Sequence, residues 1–173
     1  VAEKFIIQSA FHHFAKHQVL IRQIAKTEFI LGIAELLIET IKVYEYQHIH
    51  EKMSEIIVGL ETMKALLDKA ENDAVLDEFG YLRPAIFPLK VAGYTFSKIY
   101  PRLTEIIQLI GASGIITLPT EKAFHSPIRG DLDQYLQAAT KPAEERVKIF
   151  RLAWDLTMSS FGSRQTQYER FFF

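Results

Sequence analysis

Four short stretches hold residues whose types and spacing could do chemistry. His13 and His17 stand four apart, so on a helix both reach one side and could share a metal ion. No carboxylate completes that set locally, and surface or packing roles fit the same residues. Glu45-Tyr46-Gln47-His48 is a Glu-x-x-His motif of the kind that carboxylate di-iron bundles use. Such a centre needs a second copy on another helix plus two more glutamates, and the chain has no second copy. Ser113, in Gly111-Ala112-Ser113-Gly114, resembles a serine nucleophile only loosely. The spacing is G-x-S-G rather than G-x-S-x-G, and no strand precedes it. With no cysteine in the chain, thiolate zinc sites, iron–sulfur ligation, disulfides and cysteine nucleophiles are excluded within it.

Two small-residue runs admit a ligand. Small side chains in the 111–114 run let a phosphate approach, or close a helix with a turn. The second run is Ser159-Ser160-Phe161-Gly162-Ser163-Arg164-Gln165. Gly162 would allow close approach, Ser163 would donate a hydrogen bond and Arg164 would offer a planar fork to phosphate. Close helix–helix packing explains the same run, with Arg164 paired to a helix carboxylate such as Glu169. The residues alone leave both readings open.

The elements that must position these runs are helical. Residues 1–72 contain no proline and only Gly32 and Gly59, and their apolar residues recur at steps of three, four and seven. One helix over 3–71 would be roughly 100 Å long, against a radius of gyration of about 16 Å for a compact chain of this size. A reversal is therefore expected, near 44–49, where weak helix formers cluster. Residues 72–88 read as a loop with a short helical turn, and 89–100 as weakly helical. Pro101 suits the first turn of a new helix over 102–110. Residues 114–118 alone look extended. Asp131 is placed to cap a short helix to about 139, and Pro142 to open a last helix that runs through Met158. The expected fold is all-α: an antiparallel four-helix-type bundle with extra short helices.

Hydrophobic residues form 49% of the 173, enough for a core that excludes general disorder. Twenty basic residues against 21 acidic leave a net charge of −1, which gives no overall attraction to nucleic acid or anionic membrane. The longest uncharged stretch, 106–120, falls short of the roughly 20 apolar residues of a spanning helix. The opening VAEKFIIQ lacks signal-peptide order, and a cytoplasmic location is expected. The absence of an initiator methionine and the closing Phe171-Phe172-Phe173 suggest a fragment of a longer chain. Apolar residues on more than one helix face, Leu31, Leu37 and Ile38 beside Ile33 and Ile41, suggest self-association.

Several blocks resemble a known family: PRLTEIIQLIGASG leading into ITLPTE, then DLDQYLQAAT, then FRLAWDLTMSSFGSRQTQYERFFF. With Gln18-Val-Leu-Ile-Arg22 and Lys26-Thr-Glu28-Phe29-Ile-Leu-Gly32, they resemble the C-terminal domain of the 4-hydroxyphenylacetate 3-monooxygenase oxygenase component. That family has the acyl-CoA dehydrogenase architecture. The resemblance implies that residues 1–173 form its single C-terminal helical domain, behind an N-terminal helical domain and a β-barrel. It implies ortho-hydroxylation of a phenol such as 4-hydroxyphenylacetate, with reduced FAD supplied by a separate flavin reductase, and a homotetramer. No catalytic residue is expected in this part. Gly162, Ser163, Arg164 and Gln165 are the implied FAD contacts, with Ser113 and Thr117 as weaker ones. The related 4-hydroxybutyryl-CoA dehydratases need a cluster cysteine, which this chain lacks. The competing reading is a helical oligomerisation or interaction module without redox chemistry.

Overall fold

A computed structural model describes residue 6 and residues 8–171. Its helices are α1 (Phe11–Ile41), α2 (Gln47–Asn72), α3 (Ile86–Gly111), α4 (Glu121–Phe124), α5 (Arg129–Tyr135), α6 (Ala143–Thr157) and α7 (Ser160–Phe171). A small antiparallel hairpin, β1 (Val75–Leu76) and β2 (Leu82–Arg83), joins α2 to α3, with Val75 opposite Arg83. α3 packs on α1, α2, α6 and α7, and α1 also packs on α2 and α6. The bundle therefore has α1, α2 and α3 as three members, and α6 with α7 makes the fourth side. This is the all-α bundle that the periodicity predicts.

Helix α1 packs on α2, α3 and α6, which explains why its buried apolar residues occupy more than one face. Ile30, Ile33, Leu37 and Ile38 are buried in one core with Ile56, Met63, Phe96, Tyr100, Ile106, Ile107 and Phe150. Leu31 and Ile41 pack against its edge. The residues that suggested self-association are thus spent inside the chain. Exposed apolar side chains remain on α1 at Phe11, Ile21, Phe29 and Leu36, and others lie at Leu76, Phe79, Tyr81 and Leu82 of the hairpin and at Phe87 and Tyr94 of α3. A satellite cluster of Phe124, Ala143 and Val147, with Leu132 and Leu136, seats the short helices on α6. No helix among the described residues is long and apolar enough to cross a membrane.

Several boundaries differ from expectation, each for a local reason. The reversal occupies residues 42–46 rather than 44–49. Lys42 takes the left-handed conformation, φ 57°, and its N–H bonds the carbonyls of Glu39 and Ile38. That is a glycine's task done by a lysine. Pro101 lies inside α3 and starts no new helix. A mid-helix proline costs about 3 kcal/mol, but Phe96, Tyr100, Leu103, Ile106 and Ile107 are all buried around it and hold the helix continuous. The 72–88 segment contains the hairpin. Asp77 Oδ1 accepts from the N–H groups of Phe79 and Tyr81, both at 2.9 Å, and Gly80 supplies φ 83°. Residues 112–115 form a 3₁₀ turn, so the stretch from 114 to 118 is no strand. Helix α5 starts at Arg129 and ends at Tyr135, so Asp131 sits in its first turn and makes no cap. The last helix breaks after Thr157 into α6 and α7. Phe172 and Phe173, part of the terminal aromatic run, lie outside the described residues.

Candidate functional site

The break between α6 and α7 is built from the small residues of the second run. The N–H groups of Met158 and Ser159 both return to the Trp154 carbonyl, at 2.8 and 3.1 Å, which ends α6. Ser159 then caps α7: its Oγ accepts from the Gly162 N–H at 3.2 Å, and its carbonyl accepts from the Ser163 N–H at 2.9 Å. A Cβ on Gly162 would stand 2.5 Å from the Leu156 carbonyl oxygen and 2.8 Å from the Thr157 nitrogen. The glycine is thus required by the backbone of α6, and the space beside it is already filled. Ser163 and Arg164 point outward and are exposed. Arg164 donates from Nε to the Ser160 carbonyl at 3.0 Å, and no carboxylate among the described residues pairs with it. The proposed Arg164–Glu169 pair does not form.

Glu169 is engaged from another direction. Its side chain is fully buried, and its carboxylate accepts from Arg22 Nη1 and from Lys26 Nζ of α1, and from Arg22 Nη2 at 3.1 Å. Gln165 Nε2 completes the set at 2.8 Å. Burial by itself would raise the Glu169 pKa, but the hydrogen bonds from Arg22 and Lys26 outweigh it and hold the group below its usual value. The bond to Glu169 raises the Arg22 pKa, whereas burial lowers that of Lys26. The neighbouring Tyr100 hydroxyl is pushed up to about 12, first by burial and then by the Glu169 charge. This cluster locks α7 to α1. The signal for it in the sequence is a cation pair four apart, Arg22 and Lys26, with no acid three or four residues away on α1.

The first run serves as a helix terminator. Ala112 takes φ 44°, and the Ser113 carbonyl accepts from the Ile116 and Thr117 N–H groups and from Thr117 Oγ1 at 3.2 Å. A Cβ on Gly114 would meet Phe150 and Arg146 of α6 at 2.9 Å. Ser113 and Thr117 are exposed. Gln108 Nε2 bonds the Thr157 carbonyl at 3.2 Å, tying this end of α3 to the α6–α7 break. No hydrogen bond among the described residues joins Ser113 or Thr117 to Gly162, Ser163, Arg164 or Gln165.

The histidines are engaged separately. His13 Nδ1 donates to the Pro84 carbonyl and His17 Nε2 to Glu71, both at 2.8 Å. Glu45 and His48 flank the start of α2 and are exposed. No group of three His, Asp or Glu residues among the described residues gathers to hold a metal ion. For a phosphate-bearing cofactor the fit lies at Ser163 and Arg164, where an exposed hydroxyl and the terminal nitrogens of a guanidinium held at Nε by Ser160 adjoin a helix start. Gly162 leaves no cradle for it, and Gln165 is committed to Glu169.

A family model described as 4-hydroxyphenylacetate 3-hydroxylase C terminal matches residues 2–173. The chain belongs to this family. Among curated relatives of the hydroxylase, the probable 4-hydroxyphenylacetate 3-monooxygenase of Bacillus subtilis is 70% identical over 99% of this chain and 36% of its own length. The corresponding oxygenase component of Thermus thermophilus is 49% identical over 95% of this chain and 34% of its own. The chain thus spans about a third of these relatives. A solved oxygenase component complexed with FAD and 4-hydroxyphenylacetate superimposes with a TM-score of 0.93 at 45% identity, over 98% of this chain and 36% of that one. A 4-hydroxybutyryl-CoA dehydratase from N. maritimus reaches a TM-score of 0.83 at 20% identity, over 92% of this chain and 32% of that one, a likeness of fold alone. The hydroxylase family thus has the helical bundle seen here.

Proposed function

We propose that this chain is the single C-terminal helical domain of an oxygenase component that ortho-hydroxylates a phenol such as 4-hydroxyphenylacetate. The observation that carries the reading is the family match along 2–173, at 70% identity to the Bacillus relative. Reduced FAD, delivered by a separate flavin reductase, supplies the oxygen-activating chemistry when bound. The contribution of this chain is to bind and to exclude water. Ser163 donates its hydroxyl and Arg164 its guanidinium fork to the cofactor phosphates. Gly162 sets where α7 begins and Gln165 braces Glu169, so both hold that pair in place. Ser113 and Thr117 offer exposed hydroxyls at the neighbouring turn. Closing a dry site needs the remaining two-thirds of the relatives' length, so the fragment alone is inactive. The assembled protein is a cytoplasmic homotetramer that meets its reductase transiently.

The test uses the full-length protein with reductase, NADH, FAD and 4-hydroxyphenylacetate. Catechol formed in step with NADH consumption is the expected result. Reduced flavin supplied without any catechol across a panel of phenols would overturn the reading in favour of an interaction module.

A further inference from the structure

The hairpin between α2 and α3 is exposed, apolar and firmly fastened. Leu76, Phe79, Tyr81 and Leu82 are each 62–70% exposed, and none of the four belongs to either apolar core. Leu76 and Leu82 stand directly opposite in the ladder, so their side chains leave one face together. Phe79 and Tyr81 lie in the turn that joins the strands. A two-stranded hairpin is marginal by itself in water, yet each part of this one is tied down. The Asp77 N–H donates to the Tyr81 carbonyl at 2.9 Å and the Gly80 N–H to the Asp77 carbonyl at 3.1 Å, beside the two bonds that the Asp77 carboxylate accepts. At the base, the Ala85 N–H donates to the Ala70 carbonyl at 2.9 Å. His17 and His13 of α1 bond Glu71 and Pro84, which lead into and out of the hairpin. An apolar projection fixed in place without serving the core has the form of a docking element, because its ordering is complete before a partner arrives.

The surroundings of the hairpin indicate what covers it. Gln8, Ser9 and Phe14 line one hollow of about 340 Å³ together with Phe79 and Tyr81. The family description places the matched stretch at the C terminus, and that stretch makes up about a third of each relative's length. The larger part of those polypeptides therefore precedes it. On the proposed function the same holds for this protein, and the preceding part reaches the bundle ahead of Gln8 and Ser9, against the tip of the hairpin. Tethering at that point gives it a high local concentration beside Phe79 and Tyr81. The acidic Asp77 and Glu78 of the turn disfavour an anionic membrane surface in that place.

We infer that the hairpin is a clasp between two parts of one polypeptide: Leu76, Phe79, Tyr81 and Leu82 seat in an apolar recess of the part that precedes this bundle. The existence of that part rests on the proposed function, whereas the exposure and fastening of the hairpin do not. Seated, the hairpin fixes the bundle against the rest of the protein, which a site that excludes water requires.

The test replaces Phe79 in the full-length protein with the photoreactive p-benzoylphenylalanine, which keeps an aromatic side chain at the tip, and maps the cross-links by peptide mass spectrometry. The expected result is cross-links to residues that precede this domain, in a product that keeps the mass of one chain on a denaturing gel. A product of twice that mass would show a second copy on the hairpin, and no cross-link would show a tip in water; either overturns the clasp. The double variant Leu76→Asp, Leu82→Asp should leave hydrogen exchange across 30–38 and 96–107 unchanged, because neither side chain lies in the core. It should speed exchange in the cross-linked recess about tenfold. Equal exchange there in variant and wild type would also overturn the clasp. A protein that yields catechol without such cross-links keeps the proposed function and loses the clasp, and one that cross-links as expected but yields no catechol does the reverse.

Discussion

The two ends of α7 carry similar residue types and do opposite things. Near its start, Ser163 and Arg164 are exposed, and the terminal nitrogens of the arginine have no carboxylate among the described residues. One turn and a half further on, Glu169 is buried and accepts from Arg22, Lys26 and Gln165 together. A charge saturated by its own chain contributes to the fold. A charge kept exposed and uncommitted beside a helix start is free to act on something else. Position along one helix, rather than residue type, separates the charge saturated by the fold from the exposed one here.

Breaking the saturated end should give the largest effect. Glu169→Ala leaves Arg22 and Lys26 partly buried without their acceptor, and removing one partner of such a cluster costs about 3–5 kcal/mol. Chemical denaturation of the full-length protein measures it, and a loss below about 1 kcal/mol would show that water replaces the carboxylate. The same cluster sets an acid limb. Glu169 has its pKa depressed in the fold, so below its unfolded value the unfolded chain binds the extra proton. Its contribution is complete above the ordinary carboxylate range and fades as pH falls through the depressed value. Stability should therefore drop on acidification in the wild type, with a flatter acid limb in Glu169→Gln.

The break before α7 gives the next effect. Gly162→Ala places a Cβ against the Leu156 carbonyl, where backbone rather than a flexible side chain must yield. Overpacking of this kind costs about 1–3 kcal/mol. It should also weaken flavin retention, because Ser163 and Arg164 shift with the helix. Unchanged melting and unchanged retention would remove the packing explanation of this glycine.

These residues show what the sequence discloses and what it hides. The 3.6-residue periodicity of α1 and α2 is a local property and predicts both helices. The placement of Pro101 inside α3 and the depth of Glu169 depend on what lies across the bundle, which no local window contains. The run around Gly162 announces a close approach, but the approaching group is the backbone of α6, not a ligand. Gln23 gives no signal at all, since a glutamine on a long helix is ordinarily solvated. Its amide is buried without a hydrogen-bond partner among the described residues only once α3 and α7 close over it.

A surface ion pair supplies the low end of the scale. Arg102 bonds Glu55 with two nitrogens, at 2.7 and 2.8 Å, and reaches Glu105 at 2.9 Å. The bond to Glu55 is the main reason its pKa is raised. The side chains are well exposed, so Arg102→Ala should cost only about 0.2–1 kcal/mol, and less at high salt. Thermal melts at two ionic strengths check this, and a loss equal to that of Glu169→Ala would erase the contrast between buried and exposed clusters.

The most direct test of the central claim is Arg164→Ala in the full-length protein, with melting temperature and reduced-FAD affinity measured on the same preparation. The account predicts stability within about 0.5 kcal/mol of wild type, as for an ordinary surface substitution. It predicts affinity weakened by about 1.5–3 kcal/mol, the range for a hydrogen bond to a charged group. Arg164→Lys should recover only part of it, because an ammonium lacks the planar fork. A lowered melting temperature with unchanged affinity for reduced FAD would contradict the account and return Arg164 to the fold.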